Sequence, residues 1–184
     1  MRRQKSTTVQ KTLTREQKIA KKELLRRVRE TTAGRFFGFV LESIEPGRAV
    51  MKLRVRPHHL QVYEVVHGGV IAALADTAGG LATYMSAPRG TRVATVEMKI
   101  NFLEAVEKGT VRATAHVLRR GRNLAVVDCD VRDAKRLVAK ALMTFAIGSG
   151  ERLAEDARGD KSRSGVRTHK TVSSSARGSK TTGR

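Results

Sequence analysis

Between Gly68 and Pro88 the chain carries one carboxylate, Asp76, and no basic residue or imidazole. The rest of the stretch, GGVIAALA before Asp76 and TAGGLATYMSAP after it, is apolar or small on nearly every side. Such a segment is expected to be a helix buried almost all round, not an amphipathic surface helix. Its glycines and alanines let neighbouring backbone approach closely. Asp76 and the glycine and serine breaks argue for a core helix over a membrane span. A carboxylate without partners costs several kcal/mol to bury. Asp76 is therefore either satisfied by nearby backbone or threonine hydroxyls, or held desolvated so that it works as a general base or nucleophile.

His67-Gly68-Gly69 stands where the chain enters this helix. The first N–H groups of a helix lack intrahelical partners and carry the positive end of its dipole. Glycine leaves them uncovered, which is what an oxyanion hole requires. Eight residues separate Gly68 from Asp76, about 12 Å of helix rise. One helix cannot bring both to a single reacting carbon, whereas two antiparallel copies could. If both features serve one reaction, a dimer with shared sites follows.

Around this helix the hydrophobic period is two. Phe37 to Ile44 reads as an apolar strand, and Glu45-Pro46-Gly47-Arg48 as a turn. Met51, Leu53 and Val55 alternate with Lys52, Arg54 and Arg56, the pattern of a half-buried strand. Beyond the helix, Val96, Met98, Ile100 and Phe102 alternate with Thr95, Glu97, Lys99 and Asn101. Three further strands follow: Val111 to Val117, Leu124 to Arg132 and Leu137 to Ile147. Short turns at Arg120–Asn123 and Asp133–Arg136 make these last three antiparallel neighbours. The order is two strands, a long helix and four strands, which gives an α+β domain with one helix laid across an antiparallel sheet.

The 184 residues suit one domain with a real core. Lys and Arg outnumber Asp and Glu by 20, and the excess is uneven: +8 over residues 1–30, +7 over 31–149 and +5 over 150–184. The charge thus describes the ends more than the fold. We expect a basic N-terminal extension over 1–34, with one helix from Thr14 to Glu30 capped by Thr14 and Gln17. A domain over 35–149 follows, then a disordered Ser/Thr/Gly/Lys/Arg tail over 150–184. Basic ends can contact nucleic acid or an anionic membrane. Here no aromatic residue is interleaved with the charges and one helix makes no helix-turn-helix, so they read as solvated ends. Cys129 is the only cysteine, and no apolar stretch follows the basic N-terminus, so a cytoplasmic protein is expected.

Three motifs together carry a resemblance: His67-Gly68-Gly69, then Leu74-Ala75-Asp76-Thr77-Ala78, then Val93-Ala94-Thr95-Val96-Glu97-Met98-Lys99-Ile100-Asn101-Phe102-Leu103. From about Phe36 to Ile147 the chain resembles the hotdog-fold thioesterases, specifically the PaaI-like phenylacetyl-CoA thioesterase branch. The resemblance implies a hotdog fold, an antiparallel sheet of five to six strands wrapped round one long central helix. It implies dimers that join sheets edge to edge and often pair into tetramers. It further implies hydrolysis of an acyl-CoA thioester with no metal or organic cofactor. Carried over by position, Asp76 is the base or nucleophile, and Gly68 supplies the N–H that polarises the thioester carbonyl across the dimer. His67 lines the site, and Thr95 helps hold the attacking water. Gln61 stands where the branch commonly has an asparagine supporting the catalytic loop. His58 and His59 read as loop surface, not metal ligands.

Coenzyme A carries phosphates, so a basic rim would hold it. Gly69 beside the oxyanion donor, Arg119, Arg120 and Arg122 on one turn, and Lys135 and Arg136 on the next are the candidate substrate contacts. The acyl group is expected to be an aryl or a short to medium chain. Competing readings are a non-catalytic acyl-CoA sensor, a thioesterase acting on acyl carrier protein, and a dehydratase on the same scaffold.

Overall fold

The computed structural model describes residues 14–149. The tail expected over 150–184 and the side chain of Gln17 lie outside the described residues. In chain order the elements are α1 (Arg15–Glu30), α2 (Thr32–Phe37), β1 (Phe39–Glu45), β2 (Arg48–Arg54), a single 3-10 turn (Pro57–His59), α3 (Gly68–Ser86), β3 (Thr91–Phe102), β4 (Thr110–Arg120), β5 (Leu124–Asp133) and β6 (Arg136–Ser149).

The six strands form one antiparallel sheet in the order β1-β2-β4-β5-β6-β3, curved around α3. This is the hotdog arrangement that the sequence implies. β4, β5 and β6 are consecutive neighbours because their connections are too short for anything else. β3 leaves the C-terminal end of α3 and lies on the far side of β6, so β1 and β3 are the two edges. The inner face of β6 is as its alternation requires: Ala139, Ala141, Met143, Phe145 and Ile147 are buried against the helix.

Three elements differ from the sequence reading. Phe37 belongs to α2 and not to a strand: Thr31 caps α2 by accepting the Gly34 N–H, and Gly38 ends it with φ +68°, so β1 begins at Phe39. Val96 does not share the inner face with Met98 and Ile100 but is 59% exposed. A bulge between Thr95 and Glu97 shifts the register there, which turns Thr95 inward while Met98 keeps its place. Nor is α3 buried all round. Ala73, Asp76, Thr77, Gly80, Leu81 and Tyr84 are only half-buried, one open face along an otherwise enclosed helix.

The helix sits close to the sheet because Gly79 has no side chain. A Cβ there would lie 2.7 Å from Met143 Cε and 2.8–2.9 Å from the buried Phe145 ring. At Gly80 the nearest atom would be 3.6 Å away, ordinary contact. Gly79→Ala should therefore lower stability by about 1–2 kcal/mol, overpacking exceeding the gain in helix propensity. Gly80→Ala should raise it by about 0.5–1 kcal/mol. Chemical denaturation of the two variants checks the pair, and equal effects at both positions would refute the close approach.

α1 joins the same hydrophobic cluster as the sheet and α3 through Leu24 and Val28. Its outer face carries ion pairs from Arg26 to Glu23 and Glu30. Such exposed helix pairs contribute little to stability.

Candidate active site

Asp76 lies mid-way along the open face of α3. Thr95, brought inward by the β3 bulge, donates its hydroxyl to Asp76 Oδ1 at 2.7 Å. Thr77, the other hydroxyl beside it, back-bonds to the Ala73 carbonyl at 2.7 Å and is not available to the carboxylate. Asp76 thus keeps one oxygen anchored by Thr95, and no ion pair engages it among the described residues. It opens on an apolar cavity of about 350 Å³ that it shares with Ala73, Leu81, Phe37 and Leu24.

The start of α3 has a different structure and a different cavity. His67 is its N-cap: Nδ1 accepts the Gly69 N–H at 2.9 Å, which places the proton of the neutral ring on Nε2. A Cβ at Gly69 would meet the His67 ring at 3.0 Å, so glycine lets the cap close. The cap engages the Gly69 N–H. Gly68 N–H has no hydrogen-bond partner among the described residues and points from the positive end of the helix. Gly68 lines a second cavity, about 370 Å³, with Gln61 and Phe102. The Gln61 backbone holds the intervening loop: its N–H donates to the Val65 carbonyl at 2.9 Å, and its carbonyl accepts from Glu64 N–H at 2.9 Å.

Of the residues singled out by sequence, the structure brings together Asp76 with Thr95, and separately Gly68 with Gln61. It does not unite the basic turns into one rim. Arg119, Arg120 and Arg122 are exposed at the end of the sheet beside Asn123 and Ile147, whereas Lys135 and Arg136 turn at the other end of β5. Ten residues of strand separate the two turns, about 30 Å. Arg136 is held by Asp133 at 2.8 Å.

His59 corrects the surface reading of the histidine pair. His58 is exposed, but His59 is 1% exposed. Its Nδ1 accepts the Arg56 N–H at 3.0 Å, its Nε2 donates to the Phe37 carbonyl at 3.0 Å, and its own carbonyl accepts the His67 N–H at 2.9 Å. One side chain and its backbone therefore tie α2, the 3-10 turn and the cap of α3 together. Nothing in the sequence separates His59 from His58 except that Pro57 starts a tight turn, which sends the two rings different ways.

Burial, aided by His58 and Arg56, pushes the His59 pKa below its ordinary 6.5. The unfolded chain therefore takes up the proton first as pH falls. The stability from neutral His59 is full above pH 6.5 and is lost as pH drops through 6.5 toward the folded value. Denaturation midpoints should fall between pH 7.5 and 5.5, and His59→Asn should flatten that slope. An unchanged slope would remove His59 from the explanation.

Among the described residues no group of three or more His, Cys, Asp or Glu side chains is placed to hold a metal ion. No helix among them is long and apolar enough to cross a membrane.

The site is thus a threonine-anchored aspartate on the central helix of a hotdog sheet, with an open N–H at the helix start. Comparison with known proteins gives the family. The model of the thioesterase superfamily matches residues 63–140. A protein of Saccharolobus solfataricus named provisionally as an esterase is 35% identical over 61% of this chain and 81% of its own length. Human acyl-coenzyme A thioesterase 13 is 29% identical over 59% of this chain and 79% of its own. A mutant structure of the phenylacetic acid degradation protein PaaI from Thermus thermophilus aligns with a TM-score of 0.59 at 26% identity, covering 63% of this chain and 98% of that one. The chain belongs to the thioesterase superfamily, as a hotdog-fold, PaaI-like thioester hydrolase.

Proposed function

We propose that the chain hydrolyses an aryl- or short- to medium-chain acyl-CoA to the free acid and coenzyme A. Its sites are shared across a dimer that can pair into a tetramer, and the expected compartment is the cytoplasm. The observation that carries the reading is the Thr95-anchored Asp76 carboxylate at the mouth of an apolar cavity. Gly68 and Asp76 line separate cavities of one chain. A second copy, its α3 antiparallel to the first, supplies the missing half of each site. β3 is an edge strand with Val96 and Phe102 exposed along it, which suits pairing with the same edge of another copy.

In this arrangement Asp76 takes a proton from water as the water oxygen attacks the thioester carbon. The charge that develops on the carbonyl oxygen is met by the Gly68 N–H of the second copy and its helix dipole. The C–S bond then breaks, and the thiolate takes the proton held by Asp76. As a nucleophile, Asp76 would instead form an anhydride and expel the thiolate, and water would open the anhydride at the aspartyl carbonyl. One turnover in ¹⁸O-water would then place label in the Asp76 carboxylate. His67 lies at the end of the helix that holds Gly68, beside the carbonyl or the leaving thiolate. Gln61 supports the loop beneath it. Arg119, Arg120 and Arg122, which carry no ion pair among the described residues, are the better candidates for the coenzyme phosphates.

Release of free thiol from a panel of phenylacetyl-, butanoyl-, hexanoyl- and octanoyl-CoA tests the reading. The protein's own thiol will not interfere. Burial, with Asp128 and Asp130 on either side, pushes Cys129 up to about 12, so it stays protonated and unreactive. Turnover on none of these esters would refute the reading.

A further inference from the structure

The family match begins at residue 63, so it leaves out α1 and α2, yet these two helices form one wall of the cavity at Asp76. Their corner is tightly specified. A Cβ at Gly34 would sit 2.1 Å from the Val28 carbonyl oxygen and 2.7 Å from Thr31 Oγ1, so only glycine lets α2 fold back on α1 at this distance. Thr31 accepts the Gly34 N–H, Gly38 stops α2 in the left-handed region, and His59 holds the Phe37 carbonyl. The corner carries Leu24 and Val28 inward until they are 9% and 8% exposed. Beside them Phe37 and Phe39 stack at 5.0 Å with ring planes 12° apart.

The chemistry of the cavity is narrow. Asp76 is its one charged side chain, at the α3 wall. Both hydroxyl protons are committed to backbone: Thr77 donates to the Ala73 carbonyl, and Thr31 accepts from Gly34 and donates to the Val28 carbonyl at 3.4 Å. A carboxylate on the guest would meet the like charge of Asp76 in an apolar setting.

We propose that this cavity receives the acyl group of the thioester, that Leu24 and Val28 form its floor, and that α1 thereby sets the acyl length accepted. The guest is an aliphatic or aryl acyl group, and dicarboxylic acyl groups are rejected. This inference rests on the assignment of Asp76 to thioester hydrolysis.

The test measures kcat/KM of the full chain for butanoyl-, hexanoyl-, octanoyl-, decanoyl-, phenylacetyl- and succinyl-CoA. Alongside, calorimetry measures binding of the uncleavable S-butyl- and S-decyl-CoA thioethers. In Leu24→Trp the decanoyl-to-butanoyl ratio should fall at least about tenfold, as steric rejection in an apolar pocket gives, and in Leu24→Ala it should rise. Val28→Phe, a smaller intrusion, should shift the ratio the same way if the tryptophan variant does not fold. Succinyl-CoA should fall at least about 100-fold below hexanoyl-CoA. Ratios that stay fixed in all three variants, with thioether affinities blind to position 24, would overturn the proposal. Thioether affinities that follow Leu24 in a protein that cleaves no thioester would uphold the pocket and sink the hydrolase reading instead.

Discussion

Asp76→Asn should lower kcat for thioester hydrolysis by about 100- to 10,000-fold, the contribution of a positioned general base, with KM changed little. Asparagine has the shape of aspartate and still offers an oxygen to the Thr95 hydroxyl, so the anchor at Oδ1 is kept while basicity is lost. The fold should be untouched, because Asp76 sits on the open face of α3 and no salt bridge among the described residues depends on it. Far-UV circular dichroism and size-exclusion elution would be the same as for the unmodified protein, while thiol release falls to near background. Full activity in the asparagine variant would move the catalytic role elsewhere. Thr95→Val should cost less, since it removes the anchor but not the carboxylate.

The second large effect is expected at Gly68 and bears on the geometry of the dimer. Gly68→Pro removes one N–H and little else. Proline is tolerated at the first position of a helix, where the N–H has no intrahelical partner. The residue before it, His67, already has φ −60° and ψ 132°, which a following proline accepts. A Cβ at this position meets the Phe102 ring at 3.1 Å, and that side chain is half exposed. Losing one oxyanion donor should lower kcat by about 100- to 1,000-fold. Mixing the two inactive variants then tests the shared site. In a dimer of one Asp76→Asn chain and one Gly68→Pro chain, one site holds both defects and the other holds neither. An equal mixture that exchanges subunits should recover about a quarter of the original activity. No recovery on mixing, with exchange verified by differently labelled chains, would place Gly68 and Asp76 of the same chain in one site and contradict the antiparallel pairing.

The sheet, its final three-strand meander and the central helix were legible because they follow from period: two in the strands, and apolar on all sides in α3. Asp76 stood out because it is the one carboxylate in an apolar helix; Gly68 was a weaker signal, since glycines at a helix start often mark only a tight turn. Other features depend on contacts between segments distant in the chain. The inward turn of Thr95 rests on a bulge opposite β6, and a strict alternation hides it. The half-open face of α3 leaves no trace in a sequence that is apolar all round, since composition cannot say which side meets a cavity. His59 looks like His58 until the turn at Pro57 and the carbonyl of Phe37, 22 residues earlier, are seen to hold it. The opposite placement of the two basic turns follows from simple strand order, yet adjacency in the sequence suggested one rim.

Gly79 has a bearing on movement as well as on packing. With the Met143 methyl and the Phe145 ring filling the space where its side chain would be, the C-terminal half of α3 is wedged against the sheet three residues beyond Asp76. The carboxylate is therefore mounted on a stationary post. A guest must fit the space between that post and the equally tight Gly34 corner, so its size is selected by shape and not by yielding walls.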